Sequence, residues 1–132
     1  MRYRTLSQKN AYYIPKHTFM IVYHYCLNYP DWKRQYADSV GLKSPGGGGG
    51  GGIGDPTASQ AIAVADLGEK IHMIEETAMQ TEPSIYKYLL RGVTEEGMTF
   101  DQLKAQGMPC ERKMYYDRRR KFYYALAAKL KL

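Results

Sequence analysis

Basic and aromatic residues are interleaved near the C-terminus, in the stretch MPCERKMYYDRRRKFYYALAAKL from Met108 to Leu130. The segment from Glu111 to Lys131 holds eight Lys or Arg and two acids, whereas the remaining chain has eleven residues of each sign. Guanidinium and ammonium groups neutralise phosphates, and arginine also donates hydrogen bonds to base edges. The concentrated charge therefore indicates a polyanionic partner, either nucleic acid or an anionic membrane surface.

This segment has the periodicity of a two-sided helix. At about 100° per residue, one side is apolar and is expected to face the core: Tyr115, Phe122, Ala125, Leu126 and Leu130. The opposite side of the first three turns is predicted to face a major groove, with three flanking cations available for phosphates. The predicted DNA-binding residues are Arg112, Lys113, Tyr116, Arg118, Arg119, Arg120 and Lys121; Asp117 lies on the same side of the helix but is not one of them.

A short helix is predicted before this long one. Thr99 followed three residues later by Gln102 has the pattern of a capping box. Gly107 interrupts the short helix, and Pro109 is expected to begin the long one. A short helix, a tight turn with glycine and a long helix have the outline of a helix-turn-helix over about residues 99–131.

The rest of the chain predicts an all-α helical bundle. An apolar, aromatic helix is expected from Lys16 to Tyr29, closed by Pro30 and followed by a second short helix over residues 31–40. Asp55, Pro56 and Thr57 have the pattern of a helix start. Apolar residues then recur every three or four positions, at Val64, Leu67, Ile71, Ile74 and Ala78.

The other side of this helix carries carboxylates that are expected to be solvated: Asp66, Glu69, Glu75 and Glu76. A further helix is predicted over residues 85–93, opened by Pro83 and Ser84, with Ile85, Leu89 and Tyr88 inward.

Seven consecutive glycines, from Gly46 to Gly52, divide the sequence. Glycine loses the most backbone entropy on ordering and has no side chain to bury, so the run is expected to be a flexible linker. The predicted organisation is an N-terminal helical module over residues 1–44, a linker over 45–54 and a DNA-binding domain over 55–132. The apolar helix of the first module exceeds what one short neighbour can cover. It is expected either to pack back on the C-terminal helices or, slightly favoured, to contact a second chain, which would be another copy or the host transcription machinery.

Catalytic and metal chemistry find little support in the sequence. Cys26 and Cys110 are far apart, and the three histidines have no ligand spacing, so no disulfide, metal or cofactor is expected. Tyr115 or Tyr116 as a nucleophile on DNA is disfavoured because no histidine stands nearby. No stretch has the length of a signal peptide core or a membrane span, so a cytoplasmic, non-enzymatic protein is expected.

The segments DPTASQAIAVADLGEKIHMIEETA and GMTFDQLKAQGMPCERKMYYDRRRKFYYALAAKL resemble the RinA/ArpU family of phage-encoded transcriptional activators. The resemblance covers about Asp55 to Leu130. It implies a helix-turn-helix related to the promoter-reading region of sigma factors. It also implies a sequence-specific regulator of phage late genes for packaging, structure or lysis. Duplex DNA in the nucleoid of a bacterial host is then the expected partner, with host RNA polymerase and self-association as candidate contacts.

Two other interpretations remain open at the level of sequence. A small phage DNA-packaging adaptor, similar to a terminase small subunit, also uses a helix-turn-helix and oligomerises through helices. A basic amphipathic helix could instead lie on a membrane surface. The membrane interpretation does not explain why a capped helix and a turn precede the basic segment.

Overall fold

The computed structural model describes residues 10–40 and 58–132, and within these ranges all regular secondary structure is helical, with no strand. The all-α fold class is therefore confirmed. The helices are α1 (Lys16–Leu27), α2 (Tyr29–Ser39), α3 (Ala58–Thr81), α4 (Tyr86–Thr94), α5 (Phe100–Ala105) and α6 (Arg112–Lys129). A 3-10 turn, Pro83–Ile85, precedes α4. The glycine run and the helix start expected at Asp55 lie outside the described residues.

Helix α1 ends two residues earlier than the sequence pattern predicts. Its last residue is Leu27, and the Asn28 side chain donates a hydrogen bond to the His24 carbonyl. Pro30 does not close α1 but lies in the first turn of α2. Proline is tolerated there because its missing N–H would have no partner inside the helix in any case. The second helix therefore begins at Tyr29 rather than Asp31.

One hydrophobic core joins both ends of the described chain. Phe19, Val22, Tyr23 and Cys26 of α1 are buried in the same cluster as Leu89 of α4 and the inner side chains of α6. The Phe19 and Tyr123 rings meet edge to face, with centroids 5.1 Å apart. The apolar face of α1 is thus covered by helices of its own chain. This is the packing against the C-terminal helices that the sequence left open, rather than the slightly favoured contact with a second chain. Helix α6, which packs against α1, α3 and α4, is the central helix of the bundle.

Helix α3 carries the predicted apolar stripe. Ile71, Ile74 and Ala78 are buried, whereas Val64 and Leu67 near its start are half-buried. Its acidic side is not uniformly solvated, because Glu75 accepts hydrogen bonds from Tyr29 and Lys33 of α2. Lys70 of α3 lies over the Trp32 ring at 5.0 Å. No side chain of α2 is fully buried, so these polar and cation–π contacts join α2 to α3 together with Tyr29 and Trp32, which are partly buried against the core.

Candidate nucleic-acid interface

The predicted capping box at the start of α5 is formed. The backbone N–H of Gln102 donates to the Thr99 hydroxyl at 3.1 Å, and the backbone N–H of Thr99 donates to the side-chain oxygen of Gln102 at 2.9 Å. Two donors that helix geometry would leave unpaired are thereby satisfied. The cap fixes the first turn of α5, which contains Phe100 and Asp101.

The turn after α5 is held by buried side chains rather than by a helix start at Pro109. Gly107 has a φ of +105°, in the left-handed region that favours glycine. Met108 and Cys110 are then buried on either side of the exposed Pro109, and Lys104 donates to the Cys110 carbonyl at 3.1 Å. Burying both side chains keeps this segment out of the helix, so α6 begins at Arg112 rather than at Pro109.

The buried face of α6 is rotated relative to the predicted one. Tyr115, Phe122 and Leu126 are buried as expected. Tyr123 and Ala127 are buried as well, whereas Ala125 and Leu130 are only half-buried. The rotation follows from α1, whose Phe19 packs against Tyr123, a residue outside the predicted apolar face.

Arg118, one of the predicted phosphate contacts, is engaged within the protein. Its Nε donates to Glu82 at 2.8 Å, and it also pairs with Asp117. The ion pair between Arg118 and Glu82 is largely covered, with 31% of the Arg118 side chain and 19% of the Glu82 side chain exposed. Hydrogen bonds from Ser84 and from Arg118 hold the pKa of the Glu82 carboxyl below its ordinary value. Arg118 thus links α6 to the segment between α3 and α4.

Arg119 and Tyr116 line a groove instead of the outer face of α6. The Arg119 guanidinium lies 4.8 Å from the Tyr116 ring centroid, within cation–π range. The groove has a volume of about 270 Å³ and runs between α1, α6 and the loop from α4 to α5, with Tyr23, Glu96 and Thr99 also in its lining. Both predicted site residues are half-buried.

Arg112 is exposed at the first position of α6 and contacts α5. Its Nη2 donates to Asp101 at 3.0 Å, and its guanidinium carbon lies 4.7 Å from the Phe100 ring centroid. Sequence reasoning did not identify Asp101 or Glu82 as partners of the basic segment. Asp101 directly follows the capped start of α5, but no local pattern pairs it with an arginine eleven residues later.

The remaining predicted cations, Lys113, Arg120 and Lys121, have no acidic partner within 4.0 Å among the described residues. Lys113 and Arg120 are seven residues apart, two turns or about 10 Å along the same side of the helix. Lys121 lies beside Arg120, and the exposed Tyr124 continues this side by one further turn. These four residues are called the outer strip of α6 below. The strip offers unpaired positive charge on a helix whose other side is fixed in the core.

In residues 10–40 and 58–132, no three His, Cys, Asp or Glu side chains are close enough to hold a metal ion. Cys26 and Cys110 are unbonded and buried, and burial raises the pKa of both thiols. None of the helices described is both long and apolar enough to span a bilayer.

Comparison with family models, with curated proteins and with solved structures finds no match for this chain.

Proposed function

We propose that this protein is a sequence-specific DNA-binding transcriptional regulator in which α5 and α6 act as the two helices of a helix-turn-helix. The observation that carries the proposal is the outer strip of α6, where Lys113, Arg120 and Lys121 lack acidic partners among the described residues. Most other basic side chains near it are engaged by carboxylates or aromatic rings. Unpaired cations at helical spacing are suited to a phosphate backbone.

The surrounding structure supports the same proposal. Recognition helices present their N-terminal residues to base edges while the preceding helix crosses the backbone. Here the first turn of α6 carries Arg112 and Lys113, and the capped helix α5 lies directly before it. The core contacts of α6 hold this end in a fixed position relative to the bundle. A fixed helix is what sequence readout requires, because base contacts depend on register.

The resemblance to the RinA/ArpU family supplies the finer part of the proposal, namely activation of phage late genes. Host RNA polymerase is then the protein partner that an activator would contact. The DNA-packaging adaptor remains the second candidate function, and it differs in its assembly. A ring-sized oligomer in sedimentation would favour the adaptor, whereas a monomer or dimer that changes transcription from a reporter promoter would favour the regulator.

Duplex binding is tested by titrating the full-length protein against labelled random-sequence DNA over a series of salt concentrations. With three phosphate contacts from the outer strip, the slope of log affinity against log salt is expected to be about −3. Selection from random duplexes should then yield a preferred sequence. A slope near zero, or no binding at low salt, would overturn the proposed function; equal binding to all sequences would overturn its sequence-specific part.

A further inference from the structure

We infer that Arg112 selects a guanine in the bound DNA and that Asp101 is the positioning residue that aims it. This inference rests on the proposed function and deepens it. The two side chains come from different helices, Asp101 from the first turn of α5 and Arg112 from the first position of α6. They meet at the end of α6 that the proposed function places in the groove.

Two contacts fix the plane of the Arg112 guanidinium. Asp101 accepts a hydrogen bond from Nη2 at 3.0 Å, and the guanidinium carbon stands 4.7 Å from the Phe100 ring centroid. The ion pair alone would hold the side chain weakly, because 59% of Arg112 and 80% of Asp101 are exposed. The ring adds a surface against which the flat guanidinium is attracted, so the two contacts together restrict its orientation.

The Phe100 ring is itself immobilised by the core. Phe100 is buried, and its centroid lies 5.8 Å from that of Tyr115, which is fully buried. The capping box at Thr99 fixes the backbone immediately before it. The position of the Arg112 guanidinium is therefore set by a chain of contacts from the core outward.

Guanine is the base that this arrangement fits. A guanidinium has five N–H donors, and Asp101 takes a hydrogen bond from Nη2, which leaves others to pair in parallel with two acceptors. In the major groove, guanine offers two adjacent acceptors, O6 and N7, whereas adenine places a donor beside N7 and cytosine offers a donor. Arginine to guanine is the commonest specific contact of this kind.

The charge of Asp101 argues against a phosphate role for Arg112. A carboxylate at 3.0 Å offsets the positive charge of the guanidinium and would be repelled by a nearby phosphate. Lys113, the next residue, has no such partner among the described residues. Arg112 is thus suited to reading a base, and Lys113 to the sequence-independent attraction.

The test uses the full-length protein, its selected duplex and duplexes in which each guanine is changed to adenine. Arg112→Ala and Arg112→Lys should each abolish discrimination at one position, which in the wild type is expected to be about 10- to 100-fold. Arg112→Lys should keep the salt slope of the wild type, since it keeps the charge but loses the two-donor fork. Thermal melting followed by circular dichroism verifies that each variant is folded.

Asp101→Asn should weaken discrimination at the same guanine several-fold while the other positions keep theirs. Glu111→Gln is the matched control, because Glu111 neighbours Arg112, is 89% exposed and makes no contact with it. Glu111→Gln should raise affinity for all duplexes alike. If Asp101→Asn only raises affinity for all duplexes alike, as Glu111→Gln should, this inference is wrong although DNA binding stands. The same conclusion follows if Arg112→Ala leaves every base preference intact. Failure of the wild type to bind any duplex would overturn the proposed function itself.

Discussion

The backbone of Gly92 leaves room for the hydroxyl of Tyr115. A Cβ added at Gly92 would overlap the Tyr115 hydroxyl and stand 3.2 Å from Leu103 Cδ1. The hydroxyl is buried and has no hydrogen-bond partner in the part of the chain that the structure describes. Burial raises the pKa of this phenol, so it stays protonated. Gly92 thus lets α4 approach α6 closely, beside the groove that Tyr116 and Arg119 line.

Gly92→Ala is expected to lower the free energy of unfolding by about 1–3 kcal/mol through overpacking. A loss of stability would be informative, because replacing glycine by alanine within a helix ordinarily stabilises the helix by up to about 1 kcal/mol. Chemical denaturation of the variant and the wild type measures the difference.

Tyr115→Phe provides the control for this substitution. It removes the hydroxyl that the new Cβ would strike and leaves no unpaired donor behind, so the double variant should recover most of the lost stability. Additive losses in the two single variants and the double variant would show that Gly92 and Tyr115 are not coupled in this way.

Glu82 makes stability depend on pH in the acidic range. Its pKa is lowered in the folded protein by hydrogen bonds from Ser84 and Arg118. A carboxyl with a depressed folded-state pKa stabilises the fold above its ordinary value of about 4.3, and this contribution is lost as the pH falls through the lower folded-state value. Glu82→Gln should therefore be less stable than the wild type at pH 7.

The difference between Glu82→Gln and the wild type should shrink as the pH falls below about 4. Thermal unfolding at a series of pH values measures it. Glu69→Gln is the matched control, since Glu69 is exposed on α3 and no contact of it with Arg118 or Ser84 is present. A constant difference between Glu82→Gln and the wild type across the pH range would contradict the role assigned to the carboxylate.

The N-terminal helices should be required for the fold. Phe19→Ala removes a buried ring from the core cluster and is expected to cost about 3–5 kcal/mol of unfolding free energy. Ile21→Ala, on the exposed side of the same helix, should cost little. Denaturant titration measures the free energy of unfolding of both variants and the wild type.

A fragment from Gly54 to Leu132 provides a second test of the same packing. It would expose the side of α6 that contacts Phe19, so it should lack a cooperative unfolding transition. A fragment that unfolds as cooperatively as the full chain would show that α1 is an accessory to the core.

The sequence was sufficient to predict the helices and most of the core, because both follow from local periodicity. The stripe of α3, the capping box at Thr99 and the inward positions Phe122 and Leu126 depend only on spacing. The inner face of α6 was misplaced because tyrosine suits either environment. Which of several tyrosines is buried depended on α1, where Phe19 precedes Tyr123 by about a hundred residues.

The candidate site was harder to predict for the same physical reason. Seven site residues were proposed from one helix, but their availability depends on partners elsewhere in the chain. Arg118 is engaged by Glu82, which is 36 residues away, and Arg112 by Asp101 on the preceding helix. A helical projection predicts the side of the helix on which a cation lies, but not whether a carboxylate from another helix pairs with it.

The outer strip of α6 should contribute charge without sequence preference. Replacing Lys113, Arg120 or Lys121 singly by glutamine is expected to reduce the magnitude of the log-log salt slope by about 0.9. The loss of affinity should be similar for the selected duplex and for random DNA, because phosphates carry no base identity. Lys129 and Lys131 form the matched control, since Lys129 is the last residue of α6 and donates to Gln80 at 2.8 Å, and Lys131 follows the end of the helix. Their replacement should leave the salt slope unchanged. A larger loss from the Lys129 and Lys131 variants would mean that the opposite end of α6 faces the DNA.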